Sequence, residues 1–183
     1  MFRRLDEYLT PDPRHAVEVF VNESTGAIRP MTFADWYKNV SSIGLIEPVP
    51  ENIVNEFDKA RNIFVLSWFA FDLTTAAELQ AYLALEMALW TRLEIDPTSK
   101  NAPRLRKLLG KALARGIFSA EDFGFVNPKG KTPNFLIDMI VRQRNELSHG
   151  SNFLFVHYSS MALEICGSLI RALYGAEIST RGS

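Results

Sequence analysis

The sequence predicts a mainly α fold, a bundle of four to five helices including one very long one, with a small β-hairpin at its N-terminus. Three observations carry this. From about residue 51 to residue 93 there is no glycine and no proline, and apolar residues recur at helical spacing throughout. Three later stretches, 104–115, 134–149 and 152–174, repeat that spacing between segments rich in proline, glycine and polar residues. Residues 16–31 instead read as two short strands around a turn.

The composition fits one domain. Of 183 residues, 47% are apolar and 22% charged, enough to bury a real core. The organisation read from the chain is a hairpin-and-short-helix extension over 1–50, a helical domain over 51–175 and a tail over 176–183. The formal net charge of −1 argues against a protein held on nucleic acid by bulk electrostatics, though not against a local basic site. The single cysteine, Cys166, lies in an apolar helical run and reads as a small buried hydrophobe. It allows no disulfide within the chain, which suits the reducing cytoplasm. The charged first ten residues give no signal-peptide pattern, and the most apolar stretch, 63–71, is too short to span a bilayer.

Taken in order, Val17, Val19 and Val21 share one strand face, 22–26 is a turn signal, and 27–31 returns as the second strand. Thr32 with Asp35 three residues on is a capping signal for a short helix ending near Ser41. Residues 44–50 form a linker. The segment 51–93 reads as one long helix, kinked or broken near Leu73, Thr74 and Thr75, with the unbroken form preferred. Its middle, 63–66 and 68–71, is apolar nearly all round, so it must be covered at the bundle centre or by a second subunit. The alanine-rich part over 76–88 lets other helices approach closely.

In the helix over 104–115, Leu105, Leu108, Leu109, Ala112 and Leu113 make an apolar face, and Gly116 ends it. Arg104, Lys107, Lys111 and Arg115 recur on the other face, either as a track for an RNA backbone or, preferred, as an ordinary solvated face. A short turn is expected at 121–125 and a polar, basic loop at 127–133. The helix over 134–149 buries Phe135, Ile137, Met139, Ile140 and Leu147. The last helix runs over 152–174.

The candidate functional corner is Arg142-Gln143-Arg144-Asn145-Glu146-Leu147-Ser148-His149-Gly150. Gly150 can end the preceding helix, and His149 then sits where the helix dipole favours its charged form. Ser151 can cap the next helix, whose start offers free N–H groups to an anion. Two guanidinium groups, an imidazole and amide donors together suit holding a phosphodiester and moving a proton. A basic last turn followed by glycine is also an ordinary helix end.

Arg144, four intervening residues and His149, with Asn145 directly after the arginine, resemble the R-N-x-x-x-H signature of the HEPN superfamily. The stretches 66–73 and 76–89 are similar to the long helix that precedes the motif in that family, so the resemblance covers roughly 55–175. It implies a HEPN-like bundle and a metal-independent endoribonuclease without cofactor, acting on an RNA substrate, of the toxin or antiviral-defence effector type. A partner antitoxin or defence-system protein would follow. It also implies a homodimer, since two motifs face each other in the family; the apolar surplus of 63–71 is consistent with such a contact.

On this reading Arg144 and His149 are catalytic, and Asn145, Glu86 and Arg142 support them. Arg104, Lys107 and Lys111 bind substrate. Glu86, in the apolar Leu85–Leu89 run, should be paired with Arg142 or Arg144 or else face water. His15 and His157 lie in contexts that suggest no catalytic role. No His/Cys cluster or His-Glu-x-x-His pattern suggests a metal. Two other readings stand beside the nuclease: a HEPN-like dimerisation or scaffold module without catalysis, and a helical domain enclosing a ligand in a deep apolar cavity near Trp68.

Overall fold

The computed structural model describes residues 7, 9–22, 24–46, 48–119, 121–126, 132–148 and 156–175, the side chains of 124–126, 148 and 156–158 excepted. Among these the protein is mainly helical with one two-stranded antiparallel sheet near the N-terminus. The strands are β1 (Val19–Val21) and β2 (Ile28–Pro30), with Phe20 opposite Arg29. The helices are α1 (Phe33–Ser41), α2 (Glu51–Leu66), α3 (Leu73–Arg92), α4 (Leu105–Ala114), α5 (Pro133–Ser148) and α6 (Val156–Gly175). No helix is long and apolar enough to cross a membrane among the described residues.

Local chemistry sets several boundaries. Thr32 and Asp35 form the full capping box that opens α1. Helix α4 ends as its glycine requires: Gly116 has φ of 65°, and the amides of Gly116 and Ile117 return to the carbonyls of Leu113 and Ala112. Helix α3 ends by the same device without the glycine. Glu94 takes φ of 55°, its amide reaches Thr91 and that of Ile95 reaches Trp90.

The hairpin is shorter than its sequence pattern. Residues 13–17 form a 3-10 turn in place of strand, capped by the carboxylate of Asp12. Val17, Val19 and Val21 are all exposed, so the apolar face of the ribbon looks outward. Arg29 lies over the Phe20 ring on the opposite face.

Over 51–93 the chain forms two helices rather than the preferred single one, broken at residues 67–72, so that the second begins at Leu73, where the alternative reading placed the break. The cause is tertiary, which is why no glycine or proline marks it. His15 binds the carbonyl of Ser67, the amide of Asp12 binds the carbonyl of Trp68, and the Asp12 carboxylate accepts from the amide of Phe71. These contacts satisfy backbone groups that a helix break leaves open. The break also lets an all-round apolar segment be covered from several sides.

Helices α2 and α3 then lie antiparallel, with Gln80 donating to the Glu56 carboxylate at 2.6 Å. Helix α1 runs back along α2, with the Trp36 indole N–H on the carbonyl of Phe64 at 3.0 Å. Helix α6 runs parallel to α3. Ser159 meets Glu78 near their starts, and the Tyr174 hydroxyl meets the carbonyl of Ala88 near their ends. One apolar core takes side chains from every helix, α1 included through Trp36 and Val40.

Candidate functional site

Helix α5 brings the Arg144 end of the motif to a junction with α3 and α6. His149 and Gly150 lie outside the described residues, as does Ser151. Arg144, Asn145 and the turns before them are described. The Nε of Arg144 lies 3.5 Å from Oε1 of Glu86 on α3. Glu86 is only 7% exposed, and burial holds its carboxyl above the usual range while Arg144 pulls it down. Of the two arginines considered as partners, the structure therefore pairs Arg144 with Glu86. The Arg144 side chain keeps 29% of its surface exposed.

Arg142 goes elsewhere. It is exposed and pairs with Glu146, one turn on along α5, at 2.7 Å. That contact, with its Coulomb attraction, raises the Arg142 guanidinium above its ordinary value. Asn145 is exposed. Phe135, expected inside, is 47% exposed, because it falls on the outer face of α5 while Leu136, Ile137 and Ile140 take the core.

Lys107 and Lys111 on α4, and Arg104 just before it, are exposed, opposite the buried Leu105, Leu108, Leu109 and Ala112. The tie from this helix to the motif helix is made by another residue. Arg106 reaches Asp138 on α5 at 2.8 Å, one turn before Arg142.

Beneath the motif helix lies a cluster that the sequence reading did not single out. Glu78 is 3% exposed. It accepts from Gln143 Nε2 at 2.6 Å, from the Ser159 hydroxyl at 3.2 Å and from the Tyr82 hydroxyl at 3.4 Å. Burial pushes its carboxyl up to about 7, and the three donors pull the other way. The signal was present. Glu78 sits between Ala77 and Leu79, a setting as apolar as the one that drew attention to Glu86.

His15, read as having no catalytic role, is packed inside the fold. It is 4% exposed, stacked on Trp68, edge-on to Trp36 and beside Phe71, with centroid distances of 5.0, 5.0 and 5.2 Å. Its imidazole fills the space beside Trp68 where a ligand cavity was considered. The apolar surface of 63–71 is covered only in part by the same chain: Phe64, Trp68 and Phe71 are buried, while Leu66 is 53% exposed. Trp36 stacks on Phe64 and Phe33 lies beside Phe69. A groove of about 400 Å³ opens between β1, α1 and α6, lined by Glu18, Asn39, Trp36, Phe64, Ser160 and Glu164 among others.

No family model, curated protein or solved structure matches this chain.

Proposed function

We propose that this protein is a metal-independent endoribonuclease of the HEPN kind, with Arg144 and His149 as its catalytic residues. The observation that supports this is the Arg144–Glu86 contact of 3.5 Å, at the end of the helix that leads into His149. A buried carboxylate fixes the guanidinium, and the partly exposed side chain leaves surface for a phosphate. Preorganised positive charge of this sort stabilises charge that develops on phosphate oxygens.

In the reaction, the RNA 2′-oxygen bonds to the adjacent phosphorus and the bond from phosphorus to the 5′-oxygen breaks. The products are a 2′,3′-cyclic phosphate and a 5′-hydroxyl. One imidazole takes the 2′ proton and a second group protonates the leaving oxygen. His149 is the only histidine of the motif, so the second proton carrier would be His149 of another copy, in a symmetric dimer. Arg142 and Asn145, both exposed, would contact flanking phosphate or base, and Arg104, at the start of α4, with Lys107 and Lys111 on it, would hold the RNA backbone. A toxin or defence effector working in the cytoplasm, checked by a partner protein, is the biological setting this chemistry fits.

A second reading is a HEPN-like scaffold without catalysis. The same ion pair favours it, since an arginine committed to a buried glutamate has a structural task. RNA cleavage by wild type and by His149→Ala, both with a chelator present, separates the two. Cleavage lost in the variant, with folding unchanged, supports the nuclease. Equal background cleavage in both ends it.

A further inference from the structure

Gln143 and Arg144 are consecutive on α5, yet they reach points eight residues apart on α3. Gln143 meets Glu78 and Arg144 meets Glu86. At the rise of an α-helix those points are about 12 Å apart along the α3 axis. A single attachment would let α5 pivot. Two that diverge from adjacent residues fix both its rotation and its height on α3. Glu78 does more than make the second attachment. Through Ser159 it also holds the first turns of α6, at 3.2 Å. Helices α5 and α6 flank residues 149–155, so one buried carboxyl ties the helix before the motif corner to the helix after it.

We propose that Glu78 is a positioning residue for the motif, setting through Gln143 and Ser159 the placement of Arg144 and of the two helices that flank His149. The activity arm of this inference rests on the nuclease reading; the placement of Arg144 can be read without it. All three donors to Glu78 are uncharged, so no cation among them fixes its charge state. Among the described residues, the titratable groups that act on it are the Tyr82 hydroxyl on α3 and the Cys166 thiol on α6, both pushed up by burial, and the Arg144–Glu86 pair lies two turns further along α3. Loss of its proton therefore adds an anion between three helices, and that change should be felt at Arg144.

The test uses the full chain and three variants: Glu78→Gln, Gln143→Leu and Ser159→Ala. The 15Nε resonance of Arg144 is followed from pH 5 to 9. It is expected to show a step with a midpoint near 7 in wild type, to lose that step in Glu78→Gln, where only the response to Glu86 remains, and to show it weakly in Gln143→Leu. Ser159→Ala keeps the Gln143 arm and should show an intermediate response. On an RNA oligonucleotide, Glu78→Gln and Gln143→Leu should lower kcat about tenfold with KM nearly unchanged, as expected for a misplaced catalytic group. An Arg144 resonance that behaves the same in every variant across this pH range overturns the proposal. Should Glu78→Gln fail to fold, the two donor deletions, which leave the carboxyl in place, decide it. Absence of His149-dependent cleavage in wild type defeats the nuclease reading alone, and the Arg144 titration still decides the role of Glu78.

Discussion

The Nε2 of His15 lies 2.9 Å from the carbonyl oxygen of Ser67, fifty-two residues further along the chain. A carbonyl can only accept, so this ring nitrogen carries the proton. The contact fastens the N-terminal segment into the corner between α2 and α3, with Trp36, Trp68 and Phe71 closing round the ring. The extension before α1 is thus part of the packing that makes the helix break possible. His15→Ala removes a buried ring and leaves the Ser67 carbonyl short of a donor, which should cost about 3 kcal/mol in urea unfolding. A loss below about 1 kcal/mol would mean that the corner holds without its plug.

Asp12 works at the same corner. Hydrogen bonds from the Arg14 guanidinium, and from the amides of Arg14 and Phe71, hold its carboxyl well below the ordinary range against the opposing effect of burial. A carboxyl depressed in the folded state contributes stability that is full above its unfolded value and is lost as pH falls through the folded one. Asp12→Ala should therefore cost about 2 kcal/mol at pH 7. The gap between wild type and variant should close as acid unfolding proceeds below pH 3 or so. A constant difference across the acid range would show that packing, not charge, is what Asp12 supplies.

These two residues also show which parts of the fold could be read from the chain. The capping box at Thr32 and Asp35, the glycine stop at Gly116 and the apolar face of α4 are local devices, and each is written within four or five residues. The break between α2 and α3 is not local. Thr74 and Thr75 mark where the second helix starts, but the corner before it depends on Asp12 and His15, more than fifty residues away. The same limit applied at the candidate site. Periodicity and an apolar setting brought Glu86 forward. Glu78 stands in a setting just as apolar, but two of its three partners, Gln143 and Ser159, come from α5 and α6, sixty-five and eighty-one residues on, so what its carboxyl binds is not written near it. The histidines divide likewise: local context made His15 look ordinary, and only the tertiary structure gives it an aromatic enclosure.

Glu94 offers a change in the opposite direction. It holds the left-handed position at the end of α3, with φ of 55°, where a Cβ is unfavourable and glycine is at ease. The capping bonds there are made by backbone groups and do not need its side chain. Glu94→Gly should raise stability by about 1 kcal/mol, seen as a higher Tm. An unchanged or lower Tm would mean that the glutamate side chain makes up for its backbone.

Arg144 tests the value of a charge set against a buried acid. Glu86 has its carboxyl raised by burial, so ionised Glu86 opposes folding unless the guanidinium offsets it. The sign follows from linkage. A carboxyl raised in the folded state favours folding most below its unfolded value, and that benefit drains away as pH rises. Removing Arg144 raises the carboxyl further. Arg144→Ala should cost about 2 kcal/mol at pH 8 and distinctly less near pH 5, where Glu86 is closer to neutral. Adding Glu86→Gln should recover part of the loss at pH 8. A loss that does not change with pH would assign Arg144 a packing role alone.

Glu78 extends the same reasoning to a carboxyl with no cation among its hydrogen-bond partners. Its value of about 7 in the folded chain stands above the ordinary 4.5. Below the lower value both folded and unfolded chains carry the proton, and the native state bears no charge at this site. Between 4.5 and 7 the unfolded chain gives up its proton first, so stability falls as pH rises, by about 3 kcal/mol in all for a shift of this size. Above 7 the loss is complete and the curve flattens with respect to this group. Glu78→Gln, which has no proton to lose, should remove that decline, so that wild type and variant differ most in slope between pH 5 and 7. Urea unfolding at half-unit intervals would reveal the difference. Parallel curves would mean that the Glu78 carboxyl titrates alike in the folded and unfolded chains, and that its three hydrogen bonds offset its burial in full.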